Sequence, residues 1–461
     1  MVYSNGVESM YLIPEIELVP LSHGSWVMVN LINGNADLLD DDTCKAVLSE
    51  DANSLESDQI QLLKDRKYFF DCKEDYQKYI KYLNGELLTQ SKSEPPNFVY
   101  IPTYTCNLNC YYCFEKAYEK TLSKNRFESS EERAEAFFEF IEKMIERLES
   151  VQDCGKAHDE IEVAITGGEP LQEGFEKEIR LILEGCCRRG YSSAIVSNGV
   201  EIDRYLPMIQ QYGVSRVQVT LDGPKEIHDG IRIAKKDGGP TYDLVSHAIE
   251  VLTSVGIETW VRINVTKRNI NFISELAEII EENHKANFYV YLLQQEGCAG
   301  YDGIIDELTG LRRLVEMKAG DARLRNLLID YHGRALVEGI FGERPFRPKV
   351  KICTAMQNQY IFDYVGNIFK CWWGMGNKSY VVGTCEGCSA SIDDNLCKKY
   401  YDRNIVKLDK CSVCKYRYVC GGGCTGRMTR KDMEAGSTNC PDFHRIIQYM
   451  IKYNLEVDTE S

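Results

Sequence analysis

Between Phe98 and Gln295 the hydrophobic pattern alternates between two kinds of stretch. Short β-rich runs lie at Phe98–Pro102, Ile161–Thr166, Ala194–Ser197, Arg216–Leu221, Trp260–Thr266 and Phe288–Leu293. Amphipathic helical stretches separate them, as at Glu132–Leu148 and Tyr242–Val255. This alternation predicts an α/β fold, a parallel sheet or partial barrel whose active site lies at the C-terminal ends of its strands.

The first segment, to about residue 88, has a different rhythm. Apolar runs lie around Met10–Pro20 and Ser25–Asn33, Asn33-Gly34-Asn35 is a turn signal, and Ala36, Leu38 and Leu39 resume the apolar pattern. Asp40-Asp41-Asp42-Thr43 then reads as a helix start, with carboxylates at the positive end of the helix dipole. Strands followed by helices predict a small α+β module. The polar, proline-bearing stretch Gln90–Asn97 is the expected boundary behind it. A mostly helical connector is expected near Ile305–Gly342. From Cys353 to Cys440 the chain is rich in Cys, Gly and Tyr and poor in long periodic runs. Such a segment needs metal to fold.

Composition narrows the function. The 461 residues suffice for two or three domains. Seventy acidic against 54 basic side chains, a net charge of -16, argue against binding nucleic acid through its phosphates. No apolar run has the length to span a bilayer, and Met1–Asn5 shows no charged region leading into an apolar one, so a cytoplasmic protein without a membrane partner is expected. Nineteen cysteines in a chain of this size, in a reducing compartment, read as metal ligands, with the remainder buried as small apolar groups.

Cys106, Cys110 and Cys113 follow directly on the first barrel strand. Three thiolates on one loop can grip one face of a compact metal centre, and they leave a cluster that wants four ligands with one open position. A zinc site with a distant fourth ligand has the same local signature.

The CX3CX2C spacing, with Tyr112 before the last cysteine, resembles the signature of radical S-adenosylmethionine (SAM) enzymes. In that family the three cysteines hold a [4Fe-4S] cluster, SAM occupies the open iron, and its reductive cleavage gives a 5′-deoxyadenosyl radical that abstracts hydrogen from the substrate. Further stretches resemble the family in order. Gly167-Gly168-Glu169-Pro170 is similar to the motif that binds the SAM amino group, a fitting task for the Glu169 carboxylate. Ser197-Asn198-Gly199 is similar to the segment near the ribose. Thr220-Leu221-Asp222-Gly223-Pro224, then His228-Asp229 and Arg232, resembles the stretch whose arginine pairs with the SAM carboxylate. Thr220 stands where Ser is usual, and keeps the hydroxyl.

Downstream, Cys353, Gly366, Cys371, Cys411, Cys414, Cys420, Cys424 and Cys440 are spaced CX12GX4C…CX2CX5CX3C…C, which resembles the seven-cysteine SPASM domain. That domain holds two auxiliary [4Fe-4S] clusters, so the resemblance implies three clusters in all. It implies that Cys411, Cys414, Cys420 and Cys440 bind one auxiliary cluster, and that Cys353, Cys371 and Cys424 bind the other. The last iron is left open or takes Cys385, Cys388 or Cys397. A zinc-ribbon-like module would use Cys411, Cys414, Cys420 and Cys424 alone and leave Cys353, Cys371 and Cys440 without a role. Cys44, Cys72, Cys154, Cys186, Cys187 and Cys298 match no motif and are expected to be ordinary thiols.

The strand–turn–helix pattern through Trp26–Leu39 resembles the winged-helix recognition element of enzymes that act on ribosomally made, post-translationally modified peptides (RiPPs). There an exposed strand edge and adjoining helix hold the leader of a precursor peptide. The resemblances imply a partial (β/α)6 TIM-type radical SAM barrel at 98–300, a recognition element at 1–90, a helical bridge at 301–349 and a SPASM domain at 350–445. The implied activity is oxidative cross-linking of a precursor peptide, Cys sulfur to carbon, as in sactipeptides and ranthipeptides, with a flavodoxin- or ferredoxin-type electron donor. Carbon–carbon or other cross-links are compatible with the same motifs. Anaerobic sulfatase-maturing enzymes share the core but carry Asp directly after the cysteine of the Gly-X4 spacing, where this chain has Trp372 and Trp373. A non-catalytic iron–sulfur or zinc protein would leave Gly167–Pro170 and Arg232 unexplained.

Overall fold

The computed structural model describes residues 10–49, 55–117, 125–151, 161–293, 302–342, 344–387, 389–427 and 430–456. At its N-terminal end the short strand β1 (Tyr11–Leu12) leads into a meander of β2 (Ile16–Pro20), β3 (Ser25–Asn30) and β4 (Ala36–Asp40), all antiparallel. Helix Asp41–Leu48 starts where the acidic run predicts: Asp40 is its N-cap, and the Asp40 carboxylate accepts the Thr43 N–H at 2.7 Å. Helix Ser57–Asp65, strand β5 (Phe69–Phe70, paired with β1) and the long helix Lys73–Ser93 complete this part. The boundary expected at Gln90–Asn97 is narrower than the sequence reading has it. The helix continues to Ser93, Pro95-Pro96 stop it, and Asn97 already opens the next strand.

The six β-rich runs become six parallel strands: β6 (Asn97–Ile101), β7 (Glu162–Ile165), β8 (Ser192–Val196), β9 (Arg216–Thr220), β10 (Glu258–Val265) and β11 (Asn287–Leu292). A seventh, β12 (Leu328–Asp330), follows in parallel inside the connector expected to be mostly helical. Side chains alternate across the pleat. Phe98 and Tyr100 of β6 face the helix Ser130–Val151, with Tyr100 and Phe137 rings 4.9 Å apart. Val99 and Ile101 face the opposite way, into a second apolar cluster with Tyr104, Ile361 and Phe369.

The cysteine-rich segment is joined to this sheet. Strand β13 (Gln359–Asp363) pairs in parallel with β6, Asp363 opposite Ile101, so both strands end on the same side. Then β14 (Asn367–Phe369), β15 (Gly383–Glu386) and β16 (Ser389–Ile392) extend the sheet antiparallel. Its strand order is β12-β11-β10-β9-β8-β7-β6-β13-β14-β15-β16, open at both ends among the described strands. This is an α/β fold with a large, mainly parallel sheet. No helix among the described residues is long and apolar enough to cross a membrane.

Candidate functional site

The loop after β6 carries Cys106, Cys110 and Cys113 and is held from both sides. Gly168 N–H donates to the Thr103 carbonyl at 3.0 Å and Glu169 N–H to the Thr105 carbonyl at 2.9 Å, so the loop after β7 lies flat on the cysteine loop. Gly167 (φ +127°) and Gly168 permit that approach, because a Cβ on either would overlap a carbonyl of the Thr103–Thr105 stretch. Opposite, Asn109 N–H donates to the Ile233 carbonyl and Lys235 N–H to the Asn107 carbonyl, each at 2.8 Å. The loop is thereby stitched to the segment just beyond Arg232.

Glu169 is buried at the centre of this arrangement. One carboxylate oxygen accepts the Ser197 hydroxyl at 2.7 Å and the Leu171 N–H at 2.8 Å; the other accepts the Asn198 N–H at 2.6 Å. Burial pushes this carboxyl up to about 7 despite those three donors. Asn198 Nδ2 donates to Asn107 Oδ1 at 2.6 Å and lies 3.8 Å from Cys106 Sγ. Burial, followed by the nearby Glu169 charge, pushes the free Cys106 thiol up to about 12. An iron bound to that sulfur would reverse the shift, since a metal-coordinated thiol is deprotonated.

Arg232 approaches from the β9 side. Its Nη1 donates to the Tyr112 hydroxyl at 2.8 Å and lies 3.4 Å from the Asp222 carboxylate; its Nε is buried with no hydrogen-bond partner among the described residues. Tyr112 donates to Asp222 in turn, and Asn264 supports both through its Nδ2 to Tyr112 (3.0 Å) and its N–H to Asp222 (2.9 Å). His228 Nδ1 accepts the Asp222 N–H at 3.2 Å, and its Nε2 lies 3.1 Å from the Thr241 hydroxyl, which donates to the Arg232 carbonyl at 2.6 Å. Thr220 ends β9 just before this network, buried. Cys110 and Cys106 both bear electrostatically on Arg232, and Glu169 bears on Cys106, so carboxylate and guanidinium lie near the thiols. Cys113 sits with Cys106, Cys110 and Tyr112 in one apolar cluster. Asp222, Asn264 and Asn107 do essential positioning that the sequence reading did not assign.

The seven downstream cysteines fall into two sets. Between Cys420 and Cys424, Gly421, Gly422 and Gly423 all adopt left-handed backbone, at φ +70°, +95° and +76°. A Cβ on Gly421 would strike the backbone of Lys351–Ile352, and one on Gly423 the Asn439 carbonyl. The loop can therefore press against the chain just before Cys353 and just before Cys440. Burial first, then Cys420, Cys414 and Cys440 nearby, raises the Cys411 thiol, and Cys440 and Cys414 also bear on the buried Cys420; burial first, then Cys353 and Cys424, raises the Cys371 thiol, and Cys424 also bears on the buried Cys353. Cys385 is turned by β15 into the central core, its Sγ 3.8 Å from the Ala136 carbonyl, and Cys397 faces Lys370 and Arg147. Lys370 is also within electrostatic reach of Cys353, so Cys397 and Cys353 flank one buried ammonium; Cys388 lies outside the described residues.

The donor chemistry fits iron–sulfur clusters. All sixteen described cysteines are free thiols, and soft thiolates select such centres. No three His, Cys, Asp or Glu side chains among the described residues close on a single ion. Arg403 supplies a second, independent indication. It is buried, its Nη2 donates to the Gly422 and Ser437 carbonyls at 3.3 and 2.6 Å, and its Nε and Nη1 have no partner among the described residues. Cys411, Cys424, Cys420 and Cys440 are the groups whose ionised sulfurs would bear on it. Orphaned guanidinium donors among thiols suit a site meant to hold net negative charge. Of the cysteines without a motif, Cys44 and Cys186 are buried, Cys72 caps the helix Lys73–Ser93 and Cys187 is exposed; Cys154 and Cys298 lie outside the described residues.

Comparison with known proteins finds likenesses in sequence and in fold. Residues 100–280 match the family model described as the radical SAM superfamily. A cysteine-type anaerobic sulfatase-maturating enzyme of Clostridium perfringens is 25% identical over 392 residues, 75% of this chain and 93% of that protein. Fe-coproporphyrin III synthase of Methanosarcina barkeri is 26% identical over 218 residues, 47% of this chain and about half (49%) of that one. Among solved structures, native anSMEcpe with bound AdoMet and Kp18Cys peptide superimposes with a TM-score of 0.55 at 18% identity, over 79% of this chain and 99% of that one. Streptococcus suis SuiB superimposes with a TM-score of 0.51 at 18% identity, over 93% of this chain and 98% of that one. At such identities the two structural likenesses establish the fold. Residues 100–280 of this chain are thus similar to the radical SAM superfamily, and the fold is the one those solved structures share.

Proposed function

We propose that this enzyme is a peptide maturase that cross-links a ribosomally made precursor oxidatively, joining a Cys sulfur to a carbon of another residue. In this reading Cys106, Cys110 and Cys113 hold the [4Fe-4S] cluster, Glu169 receives the SAM ammonium and Arg232 the SAM carboxylate. Tyr112, Gly167, Gly168, Ser197, Asn198 and Thr220 shape the same pocket. When bound, the cluster and SAM supply the hydrogen-abstracting chemistry. The two downstream cysteine sets hold auxiliary clusters that take the leftover electron, within a SPASM domain at 350–445. Thioether formation removes two hydrogens from the peptide, one from the thiol and one from carbon, so an electron acceptor is required. A second cysteine-ligated centre beside the first answers that need.

The observation that carries the peptide reading is the open edge of β4. Strand β2 at the other edge of the meander is covered by the C-terminal helix Phe443–Glu456, whose Gln448 reaches the Leu18 carbonyl. β4 has no strand partner on its outer side among the described residues, and Leu38 on it is 68% exposed. An unpaired strand with an exposed apolar side chain is a template for β-augmentation by an extended leader. The likeness to SuiB, which extends over this N-terminal part, supports the same reading.

Sulfatase maturation is the second reading, favoured by the Clostridium perfringens relative. Against it stands Trp372, partly buried among apolar side chains where that family carries its Asp. Anaerobic co-expression with candidate precursors and intact-mass analysis separates the two. Loss of two hydrogens per modification, with cysteines that no longer alkylate, supports thioether formation. A Cys-to-formylglycine conversion supports the second reading, and an unchanged peptide under confirmed SAM cleavage rejects both for that substrate.

A further inference from the structure

Two glutamates of the N-terminal module, Glu15 and Glu17, are each only 1% exposed. Buried carboxylates are expensive unless paired, and both find their partners in the cysteine-rich segment. Glu17 Oε2 takes the Lys415 ammonium at 2.7 Å and the Tyr416 hydroxyl; its Oε1 takes Gln448 Nε2 at 3.0 Å and lies 2.9 Å from His444 Nδ1. Glu15 pairs with Arg417 at 2.5 Å and accepts the Tyr76 hydroxyl at 2.9 Å.

The positions of these partners matter. Lys415, Tyr416 and Arg417 follow immediately on Cys414 and precede Cys420; His444 and Gln448 follow Cys440. Glu17 thus bonds to both chain segments that carry the set Cys411, Cys414, Cys420 and Cys440. Tyr416 stacks on Phe443 and lies 3.2 Å from His444 Nδ1 across the same seam, so the Glu17 carboxylate is the charged centre of a contact that is otherwise aromatic and apolar. Glu17 also sits on β2, two strands from the open β4 edge.

We propose that Glu17 is a positioning residue for the auxiliary cluster of Cys411, Cys414, Cys420 and Cys440, so that the peptide-recognition module and this cluster site form one mechanical unit. The inference rests on reading that cysteine set as a cluster site. Removing the carboxylate deprives Lys415 of its counter-charge and loosens the Cys414–Cys420 loop from the helix after Cys440, leaving the Tyr416–Phe443 stacking to hold them, while the SAM pocket, which Glu17 does not touch, is left intact.

The test is iron and sulfide quantification with EPR on the anaerobically reconstituted full chain. Wild type is expected to hold roughly twelve irons, and Glu17→Ala to lose roughly four of them while keeping the SAM-dependent EPR change of the first cluster. Glu17→Gln, which preserves volume, is expected to keep the iron but shift the EPR line shape and midpoint potential of one auxiliary cluster; it carries the test if the Ala variant does not fold. Full iron in Glu17→Ala, or wild-type spectra and potentials in Glu17→Gln, would overturn the proposal. Wild type with only about four irons would instead overturn the cluster reading beneath it.

Discussion

Phe114, the residue after Cys113, and Trp373, two residues beyond Cys371, lie with ring centroids 4.8 Å apart. The loop after β6 and the turn after β14 therefore abut. The contact follows from the parallel pairing of β13 with β6 and from Gly426, whose missing Cβ leaves room for the Trp373 indole. An aromatic pair of this kind contributes on the order of 1 kcal/mol beyond its area.

Trp373→Ala opens the junction between the Cys106–Cys113 loop and the turn after Cys371 without touching Glu169 or Arg232. SAM cleavage should persist, while the yield of modified peptide per 5′-deoxyadenosine falls about tenfold, equivalent to roughly 1.4 kcal/mol. Equal loss of both products would place Trp373 in the SAM site instead.

Asp222→Asn removes the buried charge that faces Arg232 and Tyr112. Breaking a buried pair by removing one partner costs about 3–5 kcal/mol. The variant should show a lower Tm and at least about tenfold weaker SAM binding by equilibrium dialysis. Wild-type affinity in a folded Asp222→Asn protein would show that Arg232 needs no such support.

His228 links Asp222 to Thr241 as a neutral imidazole. Burial first, then the Arg232 charge, lowers its pKa from 6.5 to about 3. The unfolded chain takes up that proton below about pH 6.5 and the folded one does not. The contribution is therefore complete above 6.5 and is lost as pH falls toward 3, by about 2 kcal/mol at pH 5. Chemical denaturation at pH 7 and pH 5 should reveal this slope, and His228→Gln should flatten it.

Much of this was legible in the chain. Val-, Ile- and Tyr-rich runs of strand length marked β6 to β11, and the thiols of the radical SAM motif lie on one short loop, where spacing alone suffices. What escaped is non-local or small. β12 spans three residues, too few for a period to register. The β13–β6 pairing joins residues more than 250 positions apart, which no local pattern encodes. Glu17, Asp222, Asn264 and Arg403 read as ordinary polar residues, because only burial distinguishes them. Asp222 alone carried a signal, standing inside the Thr220–Pro224 stretch. Cys385 had ligand-like spacing to Cys388, yet the alternation of β15 turns it into the core.

Arg403→Gln removes a positive charge beside both downstream cysteine sets. A cation favours the more reduced, more negative state of a nearby cluster, so its loss should move auxiliary midpoint potentials to more negative values. Redox titration followed by EPR measures this, and unchanged potentials would exclude Arg403 as a tuning group.

In the proposed maturase reaction, hydrogen taken from the peptide ends on 5′-deoxyadenosine. The most direct measurement supplies a precursor peptide deuterated at its acceptor residues and follows the label by mass spectrometry under anaerobic, reducing conditions. Deuterium is expected in 5′-deoxyadenosine together with a cross-linked peptide, both absent in Cys106→Ala. Abundant SAM cleavage with a modified peptide but no deuterium transfer would contradict it.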